Sequence, residues 1–185
     1  MYRGIEIIAE VKTESPFGFR TAQTWNKLFT VANHIGDIVS IHTDPRWGGS
    51  FDLITKARTL TKKPILAKGI HASDGDIERA LSAGADWVLV VGRIPSTHIE
   101  KCLIEPNTIS ELAQLPSHVR AVWNSRDLQT GERKIETFAD ARKVFSGWLC
   151  QASYVRTIED VHPQASAVLV GEQLEKFSES LLSSK

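Results

Sequence analysis

Residues 8–16, which read Ile8-Ala9-Glu10-Val11-Lys12-Thr13-Glu14-Ser15-Pro16, decide how the chain is interpreted. The first part of this run is apolar except for a glutamate and a lysine two positions apart, which a β-strand places on one face. Such a pair is costly to bury unless the two groups pair or meet a polar ligand. Ser15-Pro16 then ends the strand, because proline has no amide hydrogen to donate to a neighbour. The stretch therefore predicts a buried strand whose charged end opens into a loop.

Outward from this strand, short apolar runs alternate with helical patterns. Strands are predicted at residues 5–11, 37–43, 64–68, 86–91, 102–105, 119–123, 148–151 and 165–170. Helices are predicted at residues 21–34, 50–60, 73–83, 108–115, 135–145 and 172–183. Strands that lack polar alternation and are separated by helices indicate a parallel sheet covered by helices.

Eight such units predict an α/β fold of the (β/α)8 TIM-barrel type, with a doubly wound open sheet as the alternative. Such a barrel usually needs about 250 residues, with about 200 near the lower limit, whereas this chain has 185. The missing length falls after the fourth strand, where one helical turn fits, and after the seventh, where only residues 157–161 are available. We therefore expect residues 1–185 to form one minimal barrel domain with those two helices shortened or lost.

The composition excludes some function classes. The chain has 22 basic residues (Lys and Arg) and 22 acidic residues (Asp and Glu), so its formal net charge is zero. Zero net charge argues against a general nucleic-acid or membrane-surface binder. No apolar run is long enough to span a bilayer, so we expect a cytoplasmic protein. Cys102 and Cys150 lie in apolar runs and are expected to be buried, reduced thiols. The histidines lack metal-ligand spacing, although His42 ends the second predicted strand, within reach of a site there.

Polar side chains end several of the predicted strands. In (β/α)8 barrels, functional groups collect at the carboxyl ends of the strands and in the loops that follow. The candidates are Glu10, Lys12, Ser15, Lys68, Glu105, Asn124, Arg126 and Ser153. One charge at a strand end is usually a solvated rim residue, but several from different strands predict a site. Lysines and glutamates held together there suit a general acid, an anion anchor and a general base.

Seven motifs run in order along nearly the whole chain. They are Ile8-Ala9-Glu10-Val11-Lys12 with Ser15-Pro16, Thr43-Asp44 with Gly48-Gly49-Ser50, Pro64-Ile65-Leu66-Ala67-Lys68, Ala83-Gly84-Ala85-Asp86, Leu103-Ile104-Glu105, Asn124-Ser125-Arg126-Asp127-Leu128 and Val168-Leu169-Val170-Gly171-Glu172. Through these motifs the chain resembles the indole-3-glycerol phosphate synthase family, the barrel enzymes of tryptophan biosynthesis. The first motif and the Asn-Ser-Arg-Asp-Leu motif are fairly specific, whereas the Ala-Gly-Ala-Asp and Val-Gly-Glu motifs occur in many phosphate-binding barrels.

The resemblance implies a carboxy-lyase reaction without cofactor or metal. The substrate, 1-(2-carboxyphenylamino)-1-deoxyribulose 5-phosphate, closes a ring, loses carbon dioxide and water, and becomes indole-3-glycerol phosphate. By motif position, the resemblance makes Lys68 the general acid and Glu105 the general base. It makes Lys12, paired with Glu10, the group that holds and polarises the substrate.

The resemblance also implies a set of binding residues. They are Asn124 and Arg126 for the substrate's polar groups, Trp47 for the anthranilate ring, and Ser15 with the backbone near Ser153, Gly171 and Glu172 for the phosphate. Arg126 suits a carboxylate through its bidentate fork. Trp47 is equally well interpreted as a partly buried loop aromatic.

The chain departs from the family's pattern in ways that bear on activity. The family's Lys-Asp-Phe is Lys68-Gly69-Ile70 here, without the acidic neighbour and the aromatic. The family's Ala-Glu-Ser-Gly is Gln151-Ala152-Ser153-Tyr154, without a substrate-contacting glutamate and a glycine for close phosphate approach. The family's N-terminal extension, whose helix closes over the site, is not found ahead of the first strand, and we expect its lid to be missing.

Three functions follow, in decreasing order of support. The first is a shortened but active synthase, and the second is a non-catalytic paralogue that binds a phosphorylated or aromatic ligand or a partner subunit. The third is another phosphosugar barrel, such as the neighbouring phosphoribosylanthranilate isomerase. That isomerase pairs a cysteine with an aspartate, and no cysteine ends the first strand here. The trimmed helices should leave apolar surface exposed, so we also expect self-association, in its simplest form a homodimer.

Overall fold

Eight parallel strands form a closed barrel in a computed structural model that describes residues 4–183. The strands are β1 (Glu6–Val11), β2 (Ile38–His42), β3 (Ile65–Lys68), β4 (Trp87–Val91), β5 (Cys102–Glu105), β6 (Arg120–Asn124), β7 (Leu149–Ala152) and β8 (Ala167–Val170). Each strand pairs with the next along the chain, and β8 returns to pair with β1. The predicted (β/α)8 barrel is confirmed, and the open-sheet alternative is wrong.

Helices cover the barrel incompletely. They are α1 (Trp25–Ile35), α2 (Phe51–Leu60), α3 (Asp74–Ser82), α4 (Ile109–Gln114), α5 (Phe138–Val144) and α6 (Leu174–Ser183). Between β4 and β5 the only helical turn within residues 4–183 is the 3-10 turn Ile99–Lys101, and between β7 and β8 it is Ile158–Asp160. The predicted loss of these two helices is confirmed.

Alternate residues of each strand face opposite sides of the barrel wall, and both sides are buried. Ile8, Leu66, Leu89, Leu103 and Val122 belong to one apolar cluster inside the barrel. Their strand neighbours pack outward against the helices in a second cluster, which includes Ile7, Val39, Phe29 and Ile54. Burial on both faces explains why the strands read as continuous apolar runs.

A cation between two indoles fills the amino end of the barrel. The guanidinium of Arg120, at the start of β6, lies 4.3 Å from the ring centroid of Trp87 and 5.1 Å from that of Trp148. Such contacts are favourable because the ring faces carry negative electrostatic potential. Glu6, at the start of β1, is close enough for the charge of Arg120 to oppose the rise in its pKa that burial causes. A packed amino end leaves the carboxyl ends of the strands for a ligand.

Helix α5 begins three residues later than the predicted start at Ile135. The Thr137 hydroxyl accepts from the Asp140 amide, and the Asp140 carboxylate accepts from the Thr137 amide. This reciprocal capping box begins the helix at Phe138. Ile135 is 95% exposed, so its apolar side chain is not part of the helix's buried face. The helix predicted over residues 21–34 likewise begins later, at Trp25, where Thr24 is its cap.

Three remaining expectations concern thiols, membranes and self-association. Cys102 and Cys150 are both free and buried, as predicted. No helix within residues 4–183 is long and apolar enough to cross a membrane. Ile94, in the segment after β4 that lacks a full helix, is 52% exposed. The expected homodimer stays a prediction.

Candidate functional site

A pocket of about 310 Å³ opens at the carboxyl ends of the strands. Nine of the predicted site residues line it: Glu10, Lys12, Trp47, Lys68, Asn124, Arg126, Ser153, Gly171 and Glu172. A smaller cavity of about 20 Å³ shares Trp47, Lys68 and Leu128 with the main pocket and adds Glu105. Side chains at the carboxyl ends of β1, β3, β5 and β6 thus meet the loops that follow β2, β7 and β8.

Glu10 and Lys68 form a nearly buried ion pair in the pocket wall. The Lys68 Nζ lies 3.2 Å from the Glu10 Oε1, and the two side chains are 12% and 3% exposed. Strand pairing explains the approach, because β2 separates β1 from β3 and contributes only the small Ser40 opposite Glu10. Among residues 4–183, no donor makes an aligned hydrogen bond to Glu10 Oε1. The contact of this buried oxygen with Lys68 is therefore an ion pair and not an aligned hydrogen bond.

His42 lies beside this pair. Its Nε2 is 3.6 Å from Glu10 Oε1, and its ring stacks on Trp47 with centroids 5.1 Å apart and planes 4° apart. Burial, with the charges of Lys68 and Lys12, holds the pKa of His42 well below its ordinary value. His42 is therefore a neutral imidazole at neutral pH. Its ring contacts both the Glu10 carboxylate and the indole of Trp47.

Lys12 and Arg126 share one carboxylate, that of Glu172. Lys12 Nζ lies 2.8 Å from Glu172 Oε1, while Arg126 Nη1 and Nη2 lie 3.2 and 3.1 Å from Oε1 and Oε2. The predicted pairing of Lys12 with Glu10 is thus wrong as a direct contact. Glu10 acts on Lys12 only through its charge, which with Glu172 opposes the lowering of the Lys12 pKa by burial. The partner differs because β8 closes the barrel next to β1.

A hydrogen-bonded chain holds Glu105. Asn124 Nδ2 donates to Glu105 Oε1 over 2.9 Å, and Asn124 Oδ1 accepts from the Ser153 hydroxyl over 2.7 Å. Burial raises the pKa of Glu105, against the charge of Lys68 and the bond from Asn124. A carboxyl group whose pKa is moved toward neutrality suits a proton acceptor that also releases the proton.

Aromatic rings form the opposite wall. Trp47 belongs to a 3-10 turn, Pro45–Trp47, that the Asp44 carboxylate caps. It is buried and meets Phe17 edge to face, with centroids 6.1 Å apart. Trp47 thus lies in a loop, is buried and lines the pocket. Its packing on the anthranilate ring stays a prediction.

The departure at Gly69 has a steric explanation. A Cβ at this position would overlap the Thr43 hydroxyl and lie 3.2 Å from His71 Cε1. His71 Nδ1 faces the Leu89 carbonyl and must donate to it, so Nε2 accepts from the Thr43 hydroxyl over 3.0 Å. Thr43 and His71 therefore fill the space into which an acidic side chain at position 69 would extend. Ile70 lines the small cavity beside Glu105.

The departure at Tyr154 preserves the backbone shape. Ser153 and Tyr154 have φ values of 67° and 55°, the left-handed region that glycine adopts most easily. The Tyr154 ring lies 5.2 Å from the Arg126 guanidinium and 5.0 Å from that of Arg133. The loop thus keeps a conformation that a glycine would favour, and the tyrosine adds a ring at the pocket mouth, while Ala152 lines the floor.

Ser15 does not line the pocket. Its hydroxyl accepts from the Phe17 amide over 3.3 Å, and its own amide donates to the Phe19 carbonyl over 2.8 Å. Its side chain stabilises the loop after β1 instead of facing the ligand space. Lys12 and Phe17, in the same loop, do line the pocket.

Several lining residues were not predicted from the sequence: Phe17, Leu128, Arg133, Val155, Arg156 and Gln173. Arg133 is brought to the site by a hairpin in which Arg126 pairs with Arg133. The Asp127 carboxylate turns this hairpin by accepting from the amides of Gln129 and Thr130. An aspartate four residues before a glycine is a turn signal that the sequence does carry.

Within residues 4–183, no cluster of three or more His, Cys, Asp or Glu is placed to hold a metal.

Replacing Gly171 with alanine is expected to lower the activity of this site about 100-fold. The new Cβ would overlap Glu10 Oε2 and lie 2.9 Å from its Cδ, so the carboxylate would have to leave its place beside Lys68. Steady-state kinetics and a thermal melt would measure the effect. Gly75→Ala is the matched control, since its Cβ would meet nothing closer than 3.7 Å in helix α3. Equal activity of the two variants would contradict the expectation.

Comparison with known protein sequences gives a consistent match. The sequence model of the family described as indole-3-glycerol phosphate synthase matches residues 2–182. An indole-3-glycerol phosphate synthase of Halalkalibacterium halodurans is 28% identical over 204 residues, covering 95% of this chain and 78% of the relative. One from Kineococcus radiotolerans is 28% identical over 196 residues, covering 93% of this chain and 72% of the relative.

Solved structures share the fold at low sequence identity. A 3-hexulose-6-phosphate synthase from Salmonella typhimurium superposes with a TM-score of 0.66 and 15% identity, covering 98% of this chain and 100% of the other. A tryptophan synthase alpha-subunit from Pyrococcus furiosus has a TM-score of 0.61 and 14% identity, with 99% and 100% coverage. At these identities the likeness establishes the barrel fold alone.

Proposed function

Because the chain belongs to the indole-3-glycerol phosphate synthase family, we propose that it catalyses the family's reaction. In that reaction 1-(2-carboxyphenylamino)-1-deoxyribulose 5-phosphate closes a ring and loses carbon dioxide and water to form indole-3-glycerol phosphate, a step of tryptophan biosynthesis. The observation that carries the proposal is the convergence of Lys68, Glu10 and Lys12 in one pocket, with Glu105 in the adjoining cavity.

Lys68 is the proposed general acid. It lines both the main pocket and the side cavity, so its ammonium can reach a substrate that extends between them. The ion pair with Glu10 holds the ammonium in the pocket wall. From there it would protonate the carbonyl oxygen during ring closure and the hydroxyl that leaves as water.

Glu105 is the proposed general base for the dehydration. Asn124 fixes one carboxylate oxygen, which leaves the other for a substrate proton. Because burial raises its pKa, Glu105 accepts a proton more readily than a solvated glutamate does.

The pocket walls suit the two ends of the substrate. Five cations, Lys12, Lys68, Arg126, Arg133 and Arg156, line the pocket against the carboxylates of Glu10 and Glu172. This excess favours a ligand that carries a phosphate and a carboxylate. The rings of Trp47 and Phe17 provide an apolar wall for the anthranilate ring. A pocket of about 310 Å³ is in the range of small-molecule sites.

A second candidate function is ligand binding without turnover. The specific observation in its favour is the Tyr154 ring at the pocket mouth, between the guanidinium groups of Arg126 and Arg133. A ring at that place narrows access to the loop after β7, where the resemblance places the phosphate. A phosphorylated aromatic ligand would still find cations and rings there.

A turnover assay separates the two functions. The purified protein is mixed with the substrate, and the appearance of the indole product is followed by fluorescence. We expect product formation that depends on Lys68. Absence of product from a protein whose circular dichroism shows a folded domain would overturn the proposal. Binding of a reduced, non-cyclising substrate analogue without turnover would establish the second function instead.

A further inference from the structure

Glu172 occupies the cationic end of the pocket with its own carboxylate. It is held by Lys12 Nζ at 2.8 Å and by both terminal nitrogens of Arg126, at 3.2 and 3.1 Å. The Arg126 fork is thus engaged in the bidentate geometry that it would offer to a ligand carboxylate or phosphate. An external anion that binds Arg126 in the same bidentate geometry would compete with Glu172 for these two nitrogens.

We propose that Glu172 is a displaceable internal anion, whose carboxylate must leave Lys12 and Arg126 before a ligand anion can bind them. The proposal deepens the proposed function, because it concerns the same pocket and the anionic groups of its substrate. It reverses the expected sign of the contribution of Glu172: the side chain competes with the ligand and lowers its affinity.

The surroundings of Glu172 allow it to move. Its side chain is 20% exposed, whereas that of the other pocket carboxylate, Glu10, is 3% exposed. Position 172 lies in the short connection between the end of β8 at Val170 and the start of α6 at Leu174. A rotation of the Glu172 side chain toward solvent therefore requires no change in a strand or a helix.

The two cations keep other contacts when Glu172 leaves. The Arg126 guanidinium lies 5.7 Å from the Phe17 ring and 5.2 Å from the Tyr154 ring. Lys12 Nζ lies 5.7 Å from the Phe19 ring and feels the charge of Glu10. These contacts hold both donors in place for an incoming anion, so the carboxylate of Glu172 is not needed to orient them.

Calorimetric titration with inorganic phosphate tests the inference. The titration is run at about pH 8, where phosphate is mostly a dianion, and at low ionic strength. Glu172→Gln is expected to bind phosphate about tenfold more tightly than the wild type. The reason is that the substitution removes a like charge next to the ligand. Glu172→Ser, which lacks any side chain long enough to reach both cations, should show the same gain and guards against misfolding of the first variant. Glu175→Gln is the control, since this carboxylate is 46% exposed and faces Lys27.

The gain must also depend on the proposed donors. Adding Arg126→Gln to Glu172→Gln should abolish it, and its persistence would place the phosphate elsewhere and overturn the inference. Equal or weaker binding by Glu172→Gln, or no binding by either protein, would overturn it as well. Phosphate binding requires no chemistry, so a failed turnover assay with tighter phosphate binding would sink the proposed function and leave this inference standing.

Discussion

Replacing Lys68 with alanine is expected to lower the turnover of 1-(2-carboxyphenylamino)-1-deoxyribulose 5-phosphate about 10³-fold, the usual loss for a missing general acid. Lys68 lines both cavities of the site, and its ammonium is 3.2 Å from Glu10. The variant also leaves the Glu10 carboxylate buried without its closest cation. We therefore expect a lower melting temperature together with the loss of turnover.

Two further variants separate chemistry from folding. Lys62→Ala removes an exposed lysine that lies just before the same strand, and it should leave both properties unchanged. Lys68→Met keeps the packing of the side-chain stem while removing the proton donor. It should fold, which circular dichroism would verify, and still lack turnover. A Lys68→Met protein that turns over within tenfold of the wild type would show that Lys68 is not the acid.

Replacing Glu105 with glutamine is expected to change activity and stability in opposite directions. Turnover should fall about 10³-fold, because the amide cannot accept a proton. The melting temperature at neutral pH should rise, because the amide removes a buried charge and keeps an oxygen that can accept from Asn124. Glu78→Gln, an exposed change on helix α3, is the matched control for both measurements.

The pH dependence of this difference follows from the sign of the shift. The pKa of Glu105 is raised in the folded protein, so the folded state favours the protonated carboxyl group. The stability that this preference contributes is present below the carboxyl's unfolded pKa of about 4.3. It is lost as the pH rises through the folded pKa. The stabilising effect of Glu105→Gln should therefore be largest at neutral pH and vanish below about pH 4.

The rate profile gives an independent check of the same shift. If Glu105 is the base, the acidic limb of kcat/KM should lie above the pH expected for a solvated glutamate. A higher melting temperature without any loss of turnover in Glu105→Gln would mean that its burial is structural. An unchanged melting temperature at neutral pH would contradict the raised pKa.

The order of the elements was predictable from local features of the sequence. Apolar runs buried on both faces mark the strands, and caps such as Ser50 and Ser73 mark the starts of α2 and α3. The boundary at Ile135 was missed because an exposed apolar residue mimics a helical period, whereas the capping box at Thr137 decides where the helix begins. Strand ends identified Lys68, Glu105 and Asn124, since a parallel barrel gathers those ends by geometry.

The sequence by itself determined the barrel, its two shortened crossovers and the residue types at its carboxyl rim. Only the tertiary structure decided which charges meet. Lys12 pairs with Glu172, which is 160 residues away, because closure of the barrel places β8 beside β1. Glu10 meets Lys68 across β2, and a hairpin brings Arg133 to the ring of Tyr154. Spacing along the chain cannot encode such pairs, because strand register and barrel closure set the distances between them.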